Sequence, residues 1–191
     1  MSQVKPDGRV QRSQRSRQVI VDALLDLMKA GNYIPTAQQV ADQAGISIRT
    51  VFRHFSEMEL LYQELDTATR PTYEAMFENL DYTGSLEERV TRSVDVRIQC
   101  YLETLYLEKA THALLWRSEF LRKTYGDNQR NLRKILEKML PELKQLGAEA
   151  RETADAISSF EFFDRLQNLQ GLSTAASSKL MRNLLLNIVT D

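Results

Sequence analysis

The sequence predicts an all-α protein, with a small N-terminal three-helix unit of helix-turn-helix type followed by a larger helical region. Three observations carry this expectation. Apolar residues recur at three- and four-residue intervals along almost every long segment, without the sustained alternation of a half-buried strand. Stop and start signals punctuate those segments: Gly31, Gly45 and Gly147 as stops, Thr36, Ser47 and Ser85 as N-caps. The stretch AGISIRTVFRHF, residues 44–55, interrupts one helical pattern with a glycine and then crowds arginines, a histidine and phenylalanines into the next turns.

Bulk properties narrow the function classes. A chain of 191 residues suits one compact domain or a small unit carried on a larger one. With 42% apolar and 27% charged residues, usage is ordinary for a globular protein, and no apolar run is long enough to cross a bilayer. The first residues lack the apolar stretch of a secretory signal, so a soluble protein in the cytoplasm is expected, without a membrane partner. Cys100 is the one cysteine, and His54 and His112 lie far apart, so no disulfide, metal or cofactor is expected.

Net charge is −1 but uneven: residues 1–60 hold eight Lys/Arg against six Asp/Glu, and residues 61–191 hold 17 against 20. The excess sits at the start, where Lys5, Arg9, Arg12, Arg15 and Arg17 face Asp7 alone. Such a run, read as a basic arm over 1–12 and the first turns beyond it, can serve a polyanion through phosphate contacts, or simply keep a terminus solvated.

The first helix is expected over about 13–30, with Ile20, Leu24, Leu27 and Met28 inward and Gly31 as its stop. Pro35 and Thr36 open the second, Thr36 and Gln39 having capping-box spacing, and Gly45 ends it. Ser47 caps a short third helix, and Ser56 with Glu59 repeats the box for a fourth. Glycine at 45 permits the positive φ of a tight turn, and Ala41 is small enough for a neighbouring helix to cross closely. Val40, Ala44, Ile46, Val51 and Phe55 then share one core, leaving Ile48, Arg49, Phe52 and Arg53 outward.

A helix of that kind fits a major groove, where arginine can bond guanine and apolar groups can touch the thymine methyl. Thr36, Ser47, Thr50 and His54, with the amides of the helix starts, suit phosphates. The same pattern also fits an ordinary helix hairpin with a solvated outer face. Exposed Phe52 favours the DNA reading, because an uncovered aromatic is costly.

The segment TAQQVADQAGISIRTVFRHFSEMELL, residues 36–61, resembles the DNA-binding region of the TetR family of bacterial transcriptional regulators. The resemblance rests on Gly31, Thr36, Val40, Ala41, Ala44, Gly45, Ile46, Ser47, Thr50, Val51, His54, Phe55 and Leu61. It implies base or near-base contacts from Gln38, Ile48, Arg49 and Phe52 and backbone contacts from Thr36, Ala37, Thr50 and His54; Arg53 is a further candidate beside them. Two positions depart from the family. Phe52 stands where tyrosine is usual and Met58 where lysine is usual, and neither can give the phosphate contact that those residues commonly make.

The resemblance divides the chain into the arm at 1–12, a DNA-binding domain at 13–60 and an effector-binding and dimerisation domain at 61–191. In the last, the fourth helix is expected to reach about residue 80 with Pro71 kinking it, and Ser85 with Glu88 caps the next. Its stripe is Val90, Val94, Ile98, Tyr101 and Leu105. A further helix is expected from Asp127 to Gly147, bent at Pro141, and two final helices at about 149–170 and 174–189, packed antiparallel.

The apolar stripes of those two, including Ile157, Phe160, Phe163 and Leu166 on one and Leu180, Leu184 and Ile188 on the other, are broader than one intramolecular contact needs. They read either as core or as a homodimer surface, and the resemblance implies a four-helix bundle between two copies. Two-fold symmetry then implies a roughly palindromic operator on double-stranded DNA.

Tyr73, Phe77, Tyr101, His112, Trp116 and Phe120 can line an apolar cavity with Arg97, Cys100 and Glu119 as polar handles, or can equally be core. The resemblance adds a small-molecule effector, and with it a repressor released from DNA by that effector. The alternatives are a helix-turn-helix protein of architectural or activator type without an inducer, and an all-α enzyme. No enzyme is expected, since no metal-ligand cluster, phosphate-binding glycine loop or Cys–His pair close in sequence is present.

Overall fold

The computed structural model describes residues 8–190. Among them are ten α-helices, one 3₁₀ helix and no strand. The chain divides into two compact units, one of residues 1–71 with 109–122 and the other of 72–108 with 123–191. The first unit therefore takes in 109–122 as well as the helix-turn-helix region, a division that sequence order alone does not suggest.

In the first unit, α1 (Gly8–Lys29) begins five residues before the expected start, so residues 8–12 of the basic arm are helical; residues 1–7 lie outside the described residues. It packs on α2 (Ala37–Gln43) and α3 (Ile48–His54). Ile20, Val21, Ala23, Leu24 and Met28 of α1 meet Val40, Ala41, Val51 and Phe55 in one core, with Leu27 half-buried at its edge. Then follows α4 (Met58–Ala75), which buries Leu61, Tyr62 and Leu65, ends short of residue 80 and runs through Pro71.

The Ser56–Glu59 capping box is not formed as expected. Met58 is the first helical residue, and the Glu59 carboxylate instead accepts from Ser118 Oγ at 2.7 Å and the Phe120 N–H at 3.2 Å. A carboxylate at the first turn of one helix thereby also satisfies the first turn of another, which is why 109–122 belongs with this unit.

In the second unit, α5 (Leu86–Glu103) opens at the expected capping box, Ser85 Oγ accepting from the Glu88 N–H. Val90, Val94, Ile98 and Tyr101 are buried, but Leu105 already belongs to α6 (Leu105–Leu114), because the chain breaks at Thr104. The helix expected from Asp127 is α7 (Glu119–Met139), eight residues longer at its start. Pro141 does not bend it but opens the 3₁₀ turn Pro141–Gln145 beyond its end. Arg89 clamps that turn to α5, donating to the Met139 carbonyl at 2.8 Å and to both carboxylate oxygens of Glu142.

The helix expected over 149–170 is two, α8 (Ala148–Ile157) and α9 (Phe160–Asn168), followed by α10 (Thr174–Thr190). The break leaves the Ser158 carbonyl without a helical partner. The Tyr101 hydroxyl donates to it at 2.7 Å and Arg97 at 3.4 Å, while the Ser158 hydroxyl turns back to the Ala154 carbonyl. Against this corner α10 packs on α5, α8 and α9. No helix among the described residues is long and apolar enough to cross a membrane.

Candidate nucleic-acid interface

The turn between α2 and α3 sets the geometry of the candidate interface. The Ile46 N–H reaches the Ala41 carbonyl at 3.0 Å and the Gly45 N–H reaches Asp42 at 3.2 Å, the paired bonds of a Schellman stop with Gly45 at φ +66°. A Cβ at Gly45 would meet nothing within 4 Å, so glycine answers a backbone requirement and not a lack of space. Ala41 is fully buried at the crossing.

Both helices open on side-chain caps. Thr36 Oγ1 accepts from the Gln39 N–H at 3.2 Å while Gln39 Oε1 accepts from the Thr36 N–H at 2.8 Å, the expected capping box. Ser47 Oγ accepts from the Thr50 N–H at 3.2 Å and lies 3.0 Å from the Thr50 hydroxyl. The remaining amides at these two helix starts are oriented as donors for an anion.

Val51 and Phe55 are the inward residues of this region, at 1% exposure each, and everything between them faces out or half out. Ile48 and Phe52 are exposed at 37% and 46%, and Arg49 and Arg53 are exposed beside them. An isoleucine and a phenylalanine flanked by two arginines on one side of a seven-residue helix form a surface fit for base edges and phosphates. Ala37 is half-buried at the start of α2 and Gln38 is exposed, but the Gln38 amide is held by Asp42 Oδ1 at 2.7 Å. To reach a base, Gln38 must give up that bond.

His54 is half-buried at the end of α3, and its Nε2 is buried with no hydrogen-bond partner. Burial, followed by the charges of Arg53 and Arg17, holds its imidazole below the usual histidine range. To meet a phosphate there, the ring must turn that nitrogen outward. Arg17, expected among the basic residues of the arm, is turned inward: it donates to the His54 carbonyl at 3.0 Å and to Glu64 at 2.8 Å. Sequence offered no signal for this, since the partners lie 37 and 47 positions away.

Of the residues expected around an effector, Tyr73, Phe77, Arg97, Cys100 and Tyr101 lie in the second unit and His112, Trp116, Glu119 and Phe120 in the first. Within the second unit, Arg97, Cys100 and Tyr101 are buried at 2%, 7% and 1%. Arg97 donates to the Leu132 carbonyl at 2.6 Å, and Tyr101 packs edge-on to Phe160 at 5.6 Å between ring centroids. Burial pushes the Cys100 thiol up to about 11. Tyr73 and Phe77 are half-buried.

Within the first unit His112 and Phe120 are half-buried, whereas Trp116 is 77% exposed and Glu119 is exposed, so neither of the latter lines a cavity of that unit. An acidic pair in the second unit escaped the sequence reading: burial and the Glu161 charge push the Glu108 carboxyl up to about 7, and the Tyr125 hydroxyl donates to Glu161 at 2.6 Å.

The expected dimer residues divide similarly. Ile157, Phe160, Phe163 and Leu166 are buried in the core of this one chain, with Met181 and Leu185 of α10, and are not available to a second copy. The break at Ser158 rolls their stripe onto Tyr101, which one continuous helix would not do. Leu180, Leu184 and Ile188 are partly buried, and Leu169 is 75% exposed just beyond α9.

No family model matches the chain, and no curated protein does. Solved structures do. A transcriptional regulator from Rhodococcus sp. Rha1 is similar at a TM-score of 0.68 and 16% identity, over 91% of this chain and 96% of that one. A protein assigned as a TetR-family transcriptional regulator from Mesorhizobium loti MAFF303099 is similar at a TM-score of 0.59 and 16% identity, over 94% and 97%. The chain has the all-α helix-turn-helix fold of these proteins over nearly its whole length.

Proposed function

We propose that this chain is a TetR-like DNA-binding transcriptional regulator acting in the cytoplasm, a repressor that two copies deliver to a roughly palindromic operator and that a small-molecule effector releases. One observation carries the reading: Ile48, Arg49, Phe52 and Arg53 are exposed together on the helix that follows a tight glycine turn, over an inward Val51 and Phe55. Thr36, Ala37, Ser47, Thr50 and His54 take the phosphates to either side, with the amides at the two helix starts. Gln38 reaches a base edge once it leaves Asp42.

The test is fluorescence anisotropy of the protein on DNA flanking its own gene, against scrambled DNA, across a salt series. Arg49→Ala is expected to lose about 1–3 kcal/mol on the selected sequence, the worth of one good bidentate base contact. Equal, weak binding of both DNAs by the native protein would reject the assignment of α3 as the reading helix on that operator.

The homodimer is proposed through the outward side of α9 and α10, where Leu169, Leu180, Leu184 and Ile188 remain at least partly open. Half-buried Tyr73, Phe77, His112 and Phe120 stay candidates for effector contact. An effector that prefers one placement of the reading heads shifts the population toward it. Ligand-induced thermal stabilisation together with release of bound DNA identifies such a molecule, and turnover of it would favour an enzyme instead.

A further inference from the structure

Arg17 makes three contacts in the first unit, two at the end of α3 and one on α4. Its Nη1 donates to the His54 carbonyl at 3.0 Å, and its Nη2 donates to Glu64 Oε2 at 2.8 Å. Its guanidinium carbon lies 4.4 Å from the centre of the Phe55 ring. His54 is the last residue of α3 and Phe55 its C-cap, so the cation sits at the negative end of the reading helix, where the final carbonyls lack helical partners. Glu64 lies in the second turn of α4. A single side chain on α1 therefore joins the end of α3 to α4.

The ion pair is partly exposed, at 37% and 42% of side-chain area, and such pairs add little to stability. What a planar guanidinium with two directed donors and a ring beneath it can fix is orientation. Orientation matters here because α3 has only seven residues and buries only Val51, so a small rotation about that anchor would swing Arg49 and Arg53 relative to the groove.

We propose that Arg17 and Glu64 form a pin that sets the angle of the reading helix on α4, with Arg17 a positioning residue and not a phosphate contact. The proposal rests on the DNA-reading assignment above and adds how α1 and α4 together hold the end of α3 within the first unit. It also makes a prediction of opposite sign to simple electrostatics. Removing the negative charge of Glu64 should strengthen binding to a polyanion by charge alone, whereas losing the pin weakens it.

The experiment uses the full chain and a duplex selected by the native protein from a randomised pool. Arg17→Gln and Glu64→Gln are each expected to weaken binding about threefold to tenfold, with the double variant no weaker than either single one. The salt slope is expected to stay at the native value, while Arg53→Ala lowers it by about one. Arg17→Lys keeps the charge but loses the two-pronged geometry, and is expected to behave like Arg17→Gln. A slope reduced by about one in Arg17→Gln, near-native affinity in Arg17→Lys, or Glu64→Gln binding as tightly as the native protein would overturn the pin.

A second readout needs no DNA. Amides of α3 are expected to exchange faster in Arg17→Gln and Glu64→Gln while the thermal transition is nearly unchanged, and the His54 imidazole, held down in part by Arg17, should titrate at higher pH in Arg17→Gln. If the pool yields no selective duplex, the DNA-reading assignment fails, and unchanged α3 exchange in both variants then overturns the pin separately.

Discussion

At Gly45 the whole interface depends on one backbone angle. Its φ of +66° is a left-handed conformation that costs a residue with a Cβ about 1–2 kcal/mol, while the surrounding space is open. Gly45→Ala is therefore expected to destabilise the first unit by about that amount, and Gly45→Asn by less, because asparagine tolerates this conformation better. Urea denaturation followed by hydrogen exchange in α2 and α3 checks it, and an Ala variant as stable as the native protein would show that the turn relaxes. The role of Gly45 was legible in the sequence, since a glycine between two amphipathic turns has few other uses. The partners of Arg17 and Glu59 were not legible, because a charged side chain shows its sign in the sequence but not its direction.

Helix starts with a local mechanism are legible in the sequence at Thr36, Ser47 and Ser85, where the capping oxygen and the amide that donates to it lie three residues apart. The break between α8 and α9 departs from the single helix expected over 149–170, although the sequence carries a local signal for it. Ser158 and Ser159 form a doublet ahead of Phe160, and Ser159 Oγ accepts from the Phe162 N–H at 3.2 Å as an N-cap. The apolar spacing of Ile157, Phe160 and Phe163 runs through the doublet unbroken and so masks it. Ser159→Ala is expected to cost about 1 kcal/mol by loss of the cap, measured as a shift of the thermal midpoint. No shift would mean that Tyr101 and Arg97, which supply the Ser158 carbonyl, hold the corner without the cap.

For the whole molecule, the consequence of greatest reach is where a second copy can pack. The apolar surplus that suggested a dimer is mostly absorbed by one chain, and what remains outward is Leu169 with the edges of α10. Because Leu169 is 75% exposed, Leu169→Glu can be made without disturbing the core. If this face joins two copies, the variant loses the burial of a leucine and places a charge in the interface, weakening the dimer by about tenfold or more in sedimentation equilibrium. Unchanged association would place the contact elsewhere on the chain.

The sequence by itself determined the all-α class, the glycine stops of α1 and α2, the N-caps of α2 and α3, and the outward set Ile48, Arg49, Phe52 and Arg53. These depend on periodicity and on interactions three to five residues apart, which local composition encodes. Only the tertiary structure decided that residues 109–122 belong with the N-terminal unit, that Arg97, Tyr101 and the stripe from Ile157 to Leu166 are core, and that Arg17 faces inward. Apolar spacing says that a face will be covered, but not by what, because burial rewards any partner that excludes water and only the three-dimensional packing chooses among them.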